Sequence, residues 1–74
     1  MTSAEIITIG TEILLGEIVD TNTRHIALTL RGLGVDLYRT VTIGDNVERI
    51  AGAIHNSMER ANIIITTGGL GPTI

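Results

Sequence analysis

The apolar positions along the chain switch between two periods. Ala4–Ile9, AEIITI, is a short run rich in β-branched residues. Thr23–Leu33, TRHIALTLRGL, places Ile26, Leu30 and Leu33 at helical spacing. Gly34 follows as a residue able to take the left-handed conformation that ends a helix. Val35–Ile43 alternates, with Val35, Leu37, Val41 and Ile43 on one face. Asp45–Arg60 carries Val47, Ile50, Ile54 and Met58 on one side of a second helix, and Asn62–Thr67, NIIITT, is a second continuous apolar run. Asp45 and Glu48 read as a reciprocal cap for the second helix, and Asp20 or Thr21 can cap the first.

The resulting order is β-α-β-α-β. Strands that alternate with helices predict an α/β fold, a parallel sheet with helices on both faces. The first and third runs read as strands buried on both faces, and the alternating second run as a half-exposed one. With right-handed crossovers this predicts the strand order 2-1-3. Ligands in open α/β sheets bind beyond the carboxyl ends of the strands, where the strand order reverses. Two loops meet there, Gly10–Asn22 and Gly68–Thr73. Residues 1–74 read as the N-terminal part of one domain that stops inside its second loop. Such a fragment is expected to be marginally stable and inactive until extended.

Composition narrows the class. The chain has 74 residues, of which 43% are hydrophobic, and Tyr38 is its one aromatic residue, so the core must be aliphatic. Without cysteine there is neither a disulfide nor a thiolate metal site. The net charge is −3, and the five basic residues are scattered arginines. That lacks the basic stripe of a nucleic-acid binder. No run approaches the ~20 apolar residues of a membrane span, and MTSAEIITIG lacks the charge and apolar stretch of a signal peptide. A soluble, cytoplasmic protein is expected.

The candidate chemistry lies in the two loops. In GGLGPT, Gly68, Gly69 and Gly71 permit positive φ and close approach of a ligand, and Pro72 suits the first turn of a helix. A helix starting there would direct N–H groups at an anion, most naturally a phosphate. An ordinary strand-to-helix turn is the alternative. A Walker A loop is excluded because the chain has no lysine, and a dinucleotide fingerprint is excluded because the first loop reads GTEILLGEIVDTN. That loop holds Glu12, Glu17 and Asp20. Carboxylates beside a phosphate site commonly hold magnesium or activate water. Glu12 is a candidate for such a role; Asp20 is either a helix cap or a functional acid; Glu17 reads as solvent-facing. Leu14 and Leu15 could pack under the sheet edge, cover a ligand or meet another subunit. His25 and His55 read as surface residues, and Arg24 could reach a phosphate.

Taken together, GTEILLGEIVDTN, TVTIGDNVERI and IIITTGGLGPT resemble the N-terminal domain of the CinA family, within the molybdopterin-binding fold shared with MoaB, MogA and the third domain of MoeA. The resemblance runs from Ala4 to Thr73. It implies a three-layer α/β sandwich with a mainly parallel sheet. Gly10, Thr11 and Glu12 match the family's first loop; Asp20, Thr21 and Asn22 match its D-[ST]-N block; Gly68, Gly69, Gly71, Pro72 and Thr73 match its phosphate loop. The implied catalytic residues are Glu12 and Asp20, and the implied ligand-binding residues are Gly10, Thr11, Asn22, Gly68, Gly69, Gly71 and Thr73. The implied activity is hydrolysis of ADP-ribose with Mg2+ or another divalent metal, the alternative being a non-catalytic molybdopterin-binding or cofactor-biosynthesis module. The family pattern continues with aspartates past the Gly-Pro-Thr, beyond Ile74. A homo-oligomer is also implied, and many family members carry a separate nicotinamide-nucleotide amidohydrolase domain.

Overall fold

A strand reads as central when neighbours can hydrogen-bond to both of its edges and helices can cover both of its faces. Ser3–Ile9 (β1) meets that condition in the computed structural model, which describes residues 2–68. Asp36–Ile43 (β2) and Ile63–Gly68 (β3) pair with it in parallel on either side, so the sheet order is β2-β1-β3, as the alternation of strands and helices predicts. Ile6 is level with Thr40 and Ile65, and Ile9 with Ile43 and Gly68. Ala4 pairs with Leu37 but Glu5 with Arg39, so Tyr38 is the extra residue of a bulge in β2.

The pleat of β1 sends its side chains alternately to two helices. Ala4 and Ile6 meet Leu30 of Thr21–Gly32 (α2) in the aliphatic core, with Ile26, Val35, Leu37 and Ile65 packed around them. Glu5 points to the other face, where it meets Ser57 of Val47–Met58 (α3). The two long helices therefore cover opposite faces, and the architecture is a three-layer α/β sandwich with an all-parallel sheet.

Helix ends show where local chemistry prevails and where it yields. Asp20 caps α2, its Oδ1 accepting the Thr23 N–H at 3.0 Å. Gly34, at φ 75°, follows the helix as the periodicity predicts. The cap of α3 differs from expectation. Asn46 occupies it, accepting the Arg49 N–H at 3.0 Å, and the helix starts a residue later than an Asp45 cap would place it. Asp45 is engaged elsewhere: its N–H donates to Thr11 Oγ1 at 3.0 Å. Thr11–Leu14 (α1) is a single helical turn inside the stretch read from sequence as loop, closed by the Leu14 N–H donating to the Gly10 carbonyl at 3.0 Å.

Of the two strands expected to be buried on both faces, one is and the other is only partly covered. β1 is buried on both faces, yet it includes the polar Glu5 and Thr8; each is satisfied by partners from a helix side of the sheet. β3 is only partly covered, with Ile63 36% exposed. Among the described residues it is an outer strand of the sheet. No helix among the described residues is long and apolar enough to cross a membrane.

Candidate functional site

The strand ends converge on glycine. Gly10 follows β1, and its N–H donates to the Ile43 carbonyl at the end of β2 at 2.9 Å. Gly68 ends β3 with φ 76°, and a Cβ there would lie 2.5 Å from the Ile9 carbonyl oxygen. Both facts demand glycine, because the left-handed region disfavours a side chain and the obstructing atom is backbone. The end of β3 is thus pressed against the end of β1, from which the first loop leaves the sheet. Glu12 sits at this edge, exposed, with its carboxylate turned back over Gly10: a Cβ on Gly10 would be 3.0 Å from Glu12 Oε1. Gly10, Thr11, Glu12 and Gly68 therefore share one edge. Gly69, Gly71 and Thr73 lie outside the described residues.

Asp20 is held differently. Its carboxylate accepts from the Thr8 hydroxyl at 3.1 Å, the Thr23 N–H at 3.0 Å and the Thr23 hydroxyl. The Thr8 and Thr23 hydroxyls are 2.6 Å apart. Burial pushes the carboxyl up, but the Thr23 hydroxyl and N–H, the Thr8 hydroxyl and the Asn22 N–H outweigh it, and the pKa is lowered. Asn22 thus contributes its backbone to the cap from the exposed first turn of α2. The cluster fixes the start of α2 to the carboxyl-terminal end of β1. Asp20→Ala should lower stability by about 1–2 kcal/mol, the usual cost of a lost cap, seen as a lower urea midpoint. Asp20→Asn should keep most of the stability, since an amide oxygen also caps. If Asp20→Asn in the complete protein folds normally but loses all turnover, Asp20 acts in the chemistry as well as in the cap.

A cleft of about 360 Å³ opens at the end of β2, lined by Thr11, Leu14, Thr42, Ile43, Gly44, Asp45, Asn46 and Arg49. Gly44 lets α1 settle there, because a Cβ would stand 3.2 Å from Leu14 Cδ2. Leu14 therefore packs partly against the sheet edge, whereas Leu15 is 66% exposed. Asp45 is the residue that sequence reading assigned wrongly. Once Asn46 caps α3, the Asp45 carboxylate is released to the cleft rim, with Thr11 Oγ1 3.5 Å away. Asn46 and Asp45 are equally good cap residues, so the local sequence did not choose between them. Glu5 was missed too. An acid within a strand buried on both faces must have partners, and it has Ser57 and Arg60.

His25 and His55 are exposed, as expected, and His55 Nε2 lies 3.8 Å from Glu59 Oε1 on the surface. Among the described residues, no group of three or more His, Asp or Glu side chains could hold a metal ion. The Asp20 carboxylate is engaged by the Thr8 and Thr23 hydroxyls and the Thr23 and Asn22 N–H groups.

A parallel sheet of order β2-β1-β3 with helices on both faces defines an α/β domain of the three-layer class. The chain belongs to the family described as "Probable molybdopterin binding domain", whose model matches residues 5–74. It is 54% identical to a "Putative competence-damage inducible protein" of Caldicellulosiruptor saccharolyticus over 95% of its length, which is 17% of that protein. It is 55% identical to a "CinA-like protein" of Microcystis aeruginosa, covering 96% of this chain and 17% of the relative. The solved structure of the protein CinA from Thermoplasma acidophilum, described as of unknown function, superposes with a TM-score of 0.92 at 34% identity, over 99% of this chain and 43% of that one. The chain thus spans about a sixth of the length of these curated relatives. The CinA resemblance carried by the loop motifs agrees with all of these matches.

Proposed function

We propose that this chain forms the ligand-binding half of a CinA-type domain that holds a phosphorylated nucleotide at the carboxyl edge of its sheet, and that the complete protein hydrolyses the pyrophosphate of ADP-ribose. The observation that carries this reading is Gly68. Its positive φ, its pairing with Ile9, and the lack of room for a Cβ, which would meet the Ile9 carbonyl oxygen at 2.5 Å, set the start of GGLGPT beside the residue that precedes Gly10-Thr11-Glu12. A glycine-rich backbone leaving a strand at such an edge is suited to wrapping a phosphate. In the proposed reaction a water oxygen attacks one phosphorus, the bridging P–O bond breaks, and AMP and ribose 5-phosphate leave. Glu12, exposed beside Gly10, is placed to accept the water's proton and return it to solvent. A divalent ion would stabilise the developing charge. Since the described residues do not gather its ligands, no step here depends on it.

The family description favours a second reading, a molybdopterin-binding module without turnover. Gly69→Val in the complete protein tests the phosphate loop that both readings share, and AMP release separates them. A valine in the phosphate loop should abolish ADP-ribose binding in calorimetry while leaving the circular dichroism spectrum unchanged. Unchanged affinity in the folded variant would refute the phosphate-loop assignment. Wild-type protein that binds ADP-ribose but releases no AMP with magnesium would support the binding module.

A further inference from the structure

The bulge in β2 decides which side chains face α3. Leu37 is level with Ala4 and packs with it in the core under α2. Residues two apart in a regular strand point the same way, so strict alternation would send Arg39 to that face as well. The extra residue, Tyr38, breaks the alternation. Arg39 is level with Glu5 and lies on the α3 face, its Nη1 4.0 Å from Glu5 Oε1. Val41 and Ile43 follow Arg39 to that face. Bulges commonly re-aim a side chain beside a functional site.

Between these residues and α3 runs a groove of about 340 Å³. Arg39 of the strand and Arg49 and Asn56 of the helix line it, and Val41, Ile43 and Ala53 give it an apolar wall. Among the described residues no carboxylate lines it. Glu5 offers Arg39 little. Its Oε1 already accepts from Ser57 Oγ at 2.7 Å and from Arg60 Nη2 at 3.0 Å, and its Oε2 accepts from Arg60 Nε at 2.9 Å. The Arg39 side chain is 48% exposed. Among the described residues Arg49 has no ion pair and the Asn56 carboxamide no hydrogen bond.

Two guanidiniums in one groove repel each other until an anion joins them. Each presents its N–H groups as a fork that fits the oxygens of a carboxylate or a phosphate. A carboxylate has two oxygens and a single charge, which one arginine satisfies. A phosphate monoester has three terminal oxygens and a charge of about −1.5 to −2. That is enough for both arginines and for the N–H donors of Asn56. The apolar wall then meets the body of the molecule that carries the phosphate.

We propose that this groove binds a small organic phosphate, held by Arg39, Arg49 and Asn56, with its organic part against Val41, Ile43 and Ala53. The groove flanks β2, an outer strand, whereas Gly68 ends β3 on the far side of β1. It is therefore a second site, independent of the edge at Gly68. A ligand here bridges α3 and β2, so its binding stabilises the contact between them.

The test is calorimetry on the complete protein at constant ionic strength, with phenyl phosphate, inorganic phosphate and benzoate as probes. Wild type should bind phenyl phosphate tightest, inorganic phosphate next and benzoate least. Arg39→Gln and Arg49→Gln should each weaken phenyl phosphate binding about tenfold or more, the usual loss for a hydrogen bond to a charged group. Arg49→Lys should recover part of it, and Arg31→Gln on α2 should bind as wild type does. Without ligand, Arg49→Gln should melt no lower than wild type. Saturating phenyl phosphate should raise the melting temperature of wild type but not that of Arg49→Gln. A wild type that binds none of the probes, or benzoate as tightly as phenyl phosphate, would overturn the site. So would Arg39 and Arg49 variants that bind normally. Inorganic phosphate bound as tightly as phenyl phosphate would overturn the organic part of the assignment. Gly69→Val should keep phenyl phosphate binding. Binding lost there but kept in the arginine variants would move the anion to the phosphate loop and sink the groove.

Discussion

Glu5→Ala should destabilise the complete protein by about 2–3 kcal/mol, toward the lower end of what removing one partner of a buried ion pair costs. Glu5 is 4% exposed at the centre of the sheet. Its Oε1 accepts from Ser57 Oγ at 2.7 Å and from Arg60 Nη2 at 3.0 Å, and its Oε2 accepts from Arg60 Nε at 2.9 Å. Arg39 Nη1 stands 4.0 Å away. Alanine would leave the Ser57 hydroxyl, 1% exposed, without this acceptor and open a void under α3. Arg60 softens the loss, because its side chain is 45% exposed and water can solvate the freed guanidinium. Glu5→Gln should cost less, since it keeps the shape and an acceptor for Ser57.

The same group predicts a pH dependence. The Arg60 hydrogen bonds hold the Glu5 carboxyl below its ordinary 4.5, burial pushes it up by less than the total lowering, and Ser57 and the charges of Arg60 and Arg39 add to the lowering. A folded pKa below the unfolded one contributes stability that is complete above the unfolded value. That contribution is lost as the pH falls from 4.5 through the lowered folded value. Urea midpoints measured downward from neutral pH should show this acid limb in wild type and a shallower one in Glu5→Gln. Identical acid limbs in the two proteins, or a Glu5→Ala midpoint matching wild type, would mean that the cluster is worth little.

Gly68→Ala should be the most damaging of the simple glycine substitutions. The left-handed region costs a side chain about 1–2 kcal/mol, and here the added Cβ would also meet the Ile9 carbonyl oxygen at 2.5 Å. Ile9 belongs to the central strand and is paired on both sides, so it cannot retreat without breaking the sheet. Gly34 supplies an internal control. Its φ of 75° carries the conformational cost, but a Cβ there has open space around it. Gly34→Ala should therefore lower stability by about 1 kcal/mol, and Gly68→Ala by at least twice that. Thermal melting of both variants checks this. Equal losses would show that β3 does not press on β1 as described.

Much of this architecture could be read from local pattern. Ile26, Leu30 and Leu33 recur at the helical period, and Ile6 and Leu30 do meet in the core. The β-branched run of Ala4–Ile9, set against the alternation of Val35–Ile43, predicted β1 between the other two strands, where it lies. Asp20 and Gly34 mark the ends of α2 because a cap and a left-handed residue act within a turn of their own position. Such features depend on neighbours three or four residues away, and sequence displays those neighbours directly.

The remainder depended on residues far apart in the chain. Asp45 and Asn46 are both able to cap α3, and the choice between them is made by Thr11, 34 positions earlier, which takes the Asp45 N–H. Glu5 is tolerable inside the sheet because Ser57 and Arg60, 52 and 55 positions later, converge on its two oxygens. Gly68 looked like a residue reserved for a ligand, yet the atom it first makes room for is the Ile9 carbonyl of the neighbouring strand. The residue types at these positions fixed what each group could donate, accept or permit. Which partner it met was decided by strand pairing and helix packing, because a hydrogen bond or a close approach is a matter of a few tenths of an ångström that no local period encodes.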